Sequence, residues 1–199
     1  MNAPQRLLQI AGAEPHSPSW RDAALVLIDH QDEYLSGALP LVNVAAAVLE
    51  LRALLEAART AGAPIVHIVH HGRPGAALFD PDGAKAGILA SLAPRAEEPV
   101  LVKHLPNAFA GTGLDAVLKR SGRSSLVLAG FATHMCVSST ARAALDLGYR
   151  TTVVAHACAT RDLPGALGGV IPARQVHEAT LAALADRFAT VVRDAAAIR

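Results

Sequence analysis

Three reactive side chains close apolar runs in this 199-residue sequence. The run ALVLI (24–28) is followed by Asp29, VLV (100–102) by Lys103, and SLVLAG (125–130) leads through FATHM to Cys136 at the start of a helical stretch. A cysteine attacks as its thiolate, whose ordinary pKa of about 8.5 falls beside a cation or at a helix N-terminus. Lys103 and the first helical turn would supply both effects. Asp29 would accept the thiol proton, return it to a leaving amine, and hold the lysine through an ion pair. Taken singly, each residue has a plainer reading: a turn former for Asp29, a solvated rim charge for Lys103, a buried inert thiol for Cys136. The joint placement at strand ends points to nucleophilic catalysis.

The elements that must position these groups are legible as short apolar runs between helical patterns. ALVLI (24–28), PIVHIV (64–69), VLV (100–102), SLVLAG (125–130), TTVVA (151–155) and ATVV (189–192) are nearly continuous in hydrophobicity, as strands buried on both faces of a parallel sheet are. Val44, Ala47, Val48, Leu51, Leu54, Leu55 and Ala58 recur at helical spacing behind Asn43 as N-cap, and Gly62 and Pro64 end that helix. A second helix is expected from Thr112, with Thr112 and Asp115 as a capping-box pair. A third should run from Cys136 to Gly148, and a fourth over 174–188. The order predicts an α/β fold, a three-layer, doubly wound, mostly parallel six-stranded sheet of Rossmann-like type. Ligands bind such sheets beyond the carboxyl ends of the strands, where all three reactive groups fall. The stretch 71–99 is irregular, with one short helix expected around 86–92, and reads as a binding loop or a plain crossover. Residues 1–22 read as an N-terminal arm and 23–199 as a single domain.

Composition excludes other classes. Apolar residues make up 52% and charged residues 18%, enough for a sizeable core. Eighteen Lys and Arg against seventeen Asp and Glu, without runs of one sign, leave no footprint for nucleic acid or an anionic membrane. Two cysteines are too few for a disulfide framework, so a reducing cytoplasm is expected. No stretch approaches the roughly 18 apolar residues of a membrane span, and the N-terminus lacks a signal-like apolar core. HQDEY after the first strand is not a dinucleotide fingerprint, and the glycines of AGTGLD read as a simple turn and cap in preference to a phosphate cradle at a helix start.

The segments ALVLIDHQDEY (24–34), VLVKHLPNAFAGTGLDAVL (100–118) and LVLAGFATHMCVSSTARAALDLGYRTTVV (126–154) resemble the isochorismatase-like cysteine hydrolases, a family that includes nicotinamidases, carbamoylsarcosine amidases and streptothricin-hydrolase-like enzymes. The resemblance extends over about Ala23 to Val192, and the cysteine segment is its most specific part. It implies an Asp-Lys-Cys triad of Asp29, Lys103 and Cys136. It further implies a non-proline cis peptide, by position Phe131–Ala132, and an oxyanion hole of the Ala132 and Cys136 backbone amides. It also implies a homo-oligomer, to which an Ala- and Leu-rich helix at 174–188 could contribute a face. The activity implied is hydrolysis of a small-molecule substrate at an amide-like C–N bond through a thioester, with no cofactor. A branch of the family that cleaves the vinyl ether of isochorismate without the cysteine, and a non-catalytic binding protein on the same fold, are the alternatives. Tyr34, His104, Asn107, Phe109, Phe131 and His134 are candidate substrate contacts by proximity to these segments, and equally candidates for packing.

Nicotinamidases in this family bind a metal through an Asp-x-His pair and further histidines. Here no histidine occurs between His30 and His67, so that pattern is missing. His67 and His71 alternate onto one side of the second strand and His70 onto the other, which suits packing or pocket lining better than a ligand set. Turnover is therefore expected to survive exhaustive chelation, because cysteine supplies the nucleophile that a metal-bound water would otherwise provide. Loss of activity with EDTA, restored by Zn²⁺ or Fe²⁺, would contradict this.

Overall fold

The computed structural model describes residues 3–13 and 16–199. Strands β1 (Ala23–Ile28), β2 (Ile65–His70), β3 (Val100–Lys103), β4 (Ser125–Phe131), β5 (Arg150–Ala159) and β8 (Thr190–Val192) form one sheet in the order β3-β2-β1-β4-β5-β8, every pair parallel. A two-residue hairpin, β6 (Leu163–Pro164) with β7 (Val170–Ile171), stands apart. Helices α1 (Leu7–Ile10), α2 (Glu33–Ser36), α3 (Val44–Thr60), α4 (Leu114–Arg120), α5 (Ser138–Asp146) and α6 (Ala173–Arg187) complete the regular structure. Strand order reverses direction between β1 and β4, which is the switch point where such sheets open a crevice.

The alternation of side chains divides the core. Leu25, Leu27 and Ile65 pack with Leu51, Leu54 and Leu55 of α3, while Ala24, Val26, Ile28, Val66 and Ile68 pack with Leu114 and Leu118 of α4, Ala141 and Ala144 of α5 and Leu184 of α6. These are the three layers that the near-continuous runs predicted, and β1 and β4 are buried at every residue.

Differences from expectation have local causes. Strand β5 runs to Ala159, so Cys158 lies within it; the exposed His156 breaks the apolar run and hides the last four residues. Asn43 precedes α3 in a left-handed conformation (φ 57°) and caps nothing with its side chain; its carbonyl receives the Ala46 and Ala47 amides instead. The Thr112–Asp115 box does not form. Thr112 Oγ1 accepts the Leu114 amide, but Asp115 is taken by Lys119 and the Tyr149 hydroxyl. Of the short helix at 86–92 only a 3₁₀ turn, Ala90–Leu92, is present. The arm is partly structured: Trp20 is buried, its amide donates to the Arg199 carbonyl, and the Arg199 amide donates to Pro18. In α6, Leu184 is buried in the protein's own core and Leu181 packs against it.

Gly130 of β4 lies directly against the β1 backbone. It pairs with Ile28 at φ 121°, next to a register shift in the β4–β5 ladder, and a Cβ there would overlap the Ile28 carbonyl oxygen. Both the conformation and the approach require glycine. Gly130→Ala should cost more than about 1 kcal/mol, a fall in Tm of at least about 3 °C. Gly122→Ala, where φ is similarly positive (69°) but a Cβ would meet nothing within 4 Å, should cost less in the same thermal melts. Equal costs would show that the close approach of the strands is not what selects glycine.

Candidate active site

The carboxyl ends of β1, β3 and β4 bring Asp29, Lys103 and Cys136 together. Lys103 is fully buried, and its Nζ lies 2.7 Å from Asp29 Oδ2, 3.1 Å from His70 Nδ1 and 3.3 Å from Cys136 Sγ. His70 and Cys136 accept hydrogen bonds from the ammonium group, and Asp29 completes its surroundings as an ion pair. Asp29 Oδ1 is buried with no hydrogen-bond partner among the described residues. His70 is the register partner of Lys103 across β2 and β3, so the strand-end rule that finds Lys103 also finds it.

Local backbone geometry aims the groups. Asp29 leaves β1 in a left-handed conformation (φ 50°), a region that costs an L-residue roughly 1 kcal/mol. Its amide donates to Ile68, and its carbonyl receives the Gln31 amide. Gln31 clamps His70 at two points, donating from Nε2 to the His70 carbonyl (2.9 Å) and accepting the His70 amide at Oε1 (2.8 Å). After β4 the Phe131–Ala132 peptide is cis, and Cys136 sits in a π-helical turn, Thr133–Val137, that continues into α5. The Ala132 amide makes no hydrogen bond among the described residues. Thr133 Oγ1 donates to the Ala159 carbonyl (3.0 Å), so His177 on α6 donates to it from Nδ1 (2.9 Å).

The electrostatics differ from the expected thiolate. Burial pushes the Cys136 thiol up to about 12, the Asp29 charge adds to this, and Lys103 offsets only part. Burial likewise raises Asp29 to about 6 against the pull of Lys103. The lysine is committed to its carboxylate and cannot ionise the thiol as well, so the resting site holds a neutral thiol beside a carboxylate. Burial and the Lys103 charge hold His70 down at about 4, so its Nδ1 is a bare acceptor. Cys158 is also pushed up to about 12 by burial, and both cysteines are 5% exposed. Thiolate fraction therefore does not separate the two cysteines at rest.

The candidate contacts divide. Tyr34 and Phe131 lie edge to face (5.7 Å between centroids), and Phe79, from the irregular 71–99 stretch, packs on both Tyr34 (5.2 Å) and His70 (5.1 Å). Burial raises Tyr34 and the Asp29 charge adds to this, which puts the phenol in the field of the carboxylate. His134 Nδ1 is 2.5 Å from Thr160 Oγ1 at the end of β5, and His104 donates from Nδ1 to the His71 carbonyl. Asn107 is used locally, accepting the Phe109 amide, and Phe109 stacks on Tyr149 in the layer shared with α4 and α5. Among the described residues no three His, Cys, Asp or Glu side chains are spaced to hold a metal ion, and no helix is long and apolar enough to cross a membrane.

A doubly wound α/β sheet with a buried acid, lysine and cysteine gathered beyond the carboxyl ends of its strands defines a class of hydrolase. Residues 23–196 match the isochorismatase domain, and the chain belongs to the isochorismatase family of hydrolases. It is 40% identical over 181 residues to the secreted isochorismatase effector Isc1 of Verticillium dahliae, covering 91% of this chain and 93% of that one. It is 30% identical to maleamate amidohydrolase of Pseudomonas putida, over 86% of this chain and 83% of that one. The crystal structure of an isochorismatase from Pseudomonas putida KT2440 superposes with a TM-score of 0.93 at 41% identity, covering 99% and 100% of the two chains.

If Asp29 keeps the thiol protonated, Asp29→Asn should lower the Cys136 pKa by at least about one unit, a tenfold gain in thiolate below the midpoint. Iodoacetamide labelling of Cys136 at pH 8, followed by peptide mapping, should rise about tenfold while Cys158 labelling is unchanged. No rise at Cys136 would exclude that role for Asp29.

Proposed function

We propose that the protein hydrolyses a small amide-like substrate at its C–N bond through a thioester on Cys136. The observation that carries this reading is the buried Lys103 ammonium shared among Asp29, His70 and Cys136. As Cys136 Sγ bonds to the substrate carbonyl carbon, its proton passes to Asp29. The carbonyl oxygen becomes an oxyanion received by the Ala132 and Cys136 amides, of which the Ala132 N–H is uncommitted. Asp29 then gives that proton to the leaving nitrogen as the C–N bond breaks. Water attacks the thioester, losing a proton to Asp29 and releasing the acid, and the proton returns to sulfur.

In this cycle Lys103 keeps Asp29 ionised in a site whose burial opposes charge, and it stabilises sulfur as negative charge develops there. Tyr34, Phe79 and Phe131 form the apolar wall, and His134 and His104 are polar contacts at the rim. A nucleophile aimed at a carbonyl suits an amide, and the named activity of the maleamate amidohydrolase relative agrees with it. Protonation of a vinyl ether would leave Cys136 without a task. Residues 23–199 form the unit that carries the site.

The test is a panel of small amides, ureas and lactams, with mass spectrometry for an acyl group on Cys136. Cys136→Ser should be inactive and Cys158→Ser active. Lys103→Met and Asp29→Asn should each lower kcat at least about a hundredfold with KM little changed. Because the Asp29 pKa is raised to about 6, the proton acceptor exists above that pH and is lost as pH falls through it, so kcat should drop about tenfold per unit on the acid side. A Cys136→Ser variant with normal turnover would remove the thioester mechanism.

A further inference from the structure

His30 follows Asp29 directly, is fully buried, and is used by no step above. Its Nε2 is 2.9 Å from His67 Nδ1, and His67 Nε2 is 3.0 Å from Glu98 Oε2. Glu98 is gripped by Arg59 through Nε (2.8 Å) and Nη2 (2.9 Å), and by the Arg95 amide (2.8 Å). The chain of contacts runs from the C-terminal end of α3 through the segment leading into β3 and the middle of β2 to the turn leaving β1.

The proton positions along it follow from the acceptor at one end. Arg59 holds the Glu98 carboxyl down at about 2, so it is ionised and can only accept. His67 Nε2 therefore carries a hydrogen. Burial keeps His67 neutral, so its Nδ1 is bare and takes a hydrogen from His30 Nε2. Burial holds His30 neutral as well, at about 3, which leaves its own Nδ1 bare. That nitrogen is buried and has no hydrogen-bond partner among the described residues. A neutral imidazole has one donor and one acceptor, so the carboxylate at one end fixes both tautomers, and each ring is held by what lies beyond it.

We propose that His30 is a positioning residue for Asp29, fixed through His67 by the Arg59–Glu98 ion pair, and that this relay holds the left-handed turn presenting the Asp29 carboxylate to Lys103. The turn's other ties are the Asp29 amide to Ile68, the Gln31 amide to Asp29, the Leu89 amide to the His30 carbonyl, and the Gln31 side chain to the His70 backbone and the Ala86 carbonyl. Among the described residues only the imidazole of His30 ties this turn to a side chain of β2. The inference rests on the reading of Asp29 as proton acceptor, because a relay that aims the carboxylate matters only if the carboxylate acts on sulfur.

The test compares His30→Phe, which fills the space but cannot donate, with His30→Gln, whose amide can donate to His67 Nδ1. In His30→Phe the Asp29 charge is no longer fixed beside sulfur. The pH midpoint for iodoacetamide labelling of Cys136 should fall by at least about one unit, and kcat on the best amide of the panel should fall at least about tenfold with KM within about twofold. His30→Gln should restore both. Wild-type behaviour of His30→Phe, or equal loss in the two variants, would overturn the relay. If His30→Phe does not fold, ¹⁵N NMR of the imidazoles in the unaltered protein decides: hydrogens on Nε2 of both His30 and His67 support the proposal, and a hydrogen on Nδ1 of either overturns it. A shifted labelling midpoint in a protein that hydrolyses no amide would retire the amidase reading and leave the relay standing.

Discussion

Everything at the candidate site depends on one fully buried ammonium group. An isolated cation in this interior would lose its proton or unfold its surroundings, so Lys103 requires the Asp29 carboxylate at 2.7 Å and two neutral acceptors for its other N–H bonds. Meeting that requirement constrains three strand ends at once: β1 must turn through Asp29, β2 must end with His70 beside Lys103, and β4 must run into the turn that carries Cys136. The close passage of β4 at Gly130 and the two-point clamp of Gln31 on His70 are parts of the same arrangement. The ion pair therefore organises the crevice before any substrate arrives.

The same pairing sets the protonation of the thiol. A cysteine near a lysine is ordinarily expected to ionise, yet here the carboxylate cancels the lysine's effect and burial adds its own penalty. The site is consequently neutral overall at the level of acid plus lysine, with a proton on sulfur and a base within reach of it. Such an arrangement develops negative charge on sulfur only as a bond to carbon forms, where the charge passes on to an oxyanion rather than remaining in an apolar interior.

What the sequence revealed and what it hid follow from the same distinction between pattern and environment. The six parallel strands and the placement of Asp29, Lys103 and Cys136 at their ends were legible because continuous apolar runs and their terminating residues are local features. The extension of β5 to Ala159 was hidden by one exposed histidine, and the failed capping box by Asp115 finding Lys119 and Tyr149. Nothing in residue spacing gives desolvation, so the thiolate read from the sequence became a neutral thiol in the fold. Phe79, far away in the irregular stretch, packs on Tyr34 and His70, and no spacing in the sequence brings it to the site.

The raised pKa of Cys136 bears on durability. Peroxides and other electrophilic oxidants attack thiolates, and a protonated sulfur does not offer them that charge. A nucleophile held in this form between encounters resists the step to sulfenic acid that ends the working life of low-pKa cysteines, and needs no resolving thiol nearby to recover it. The neutral resting state thus makes the oxidation of Cys136 depend less on the redox poise of the medium around the protein than that of a low-pKa thiol would.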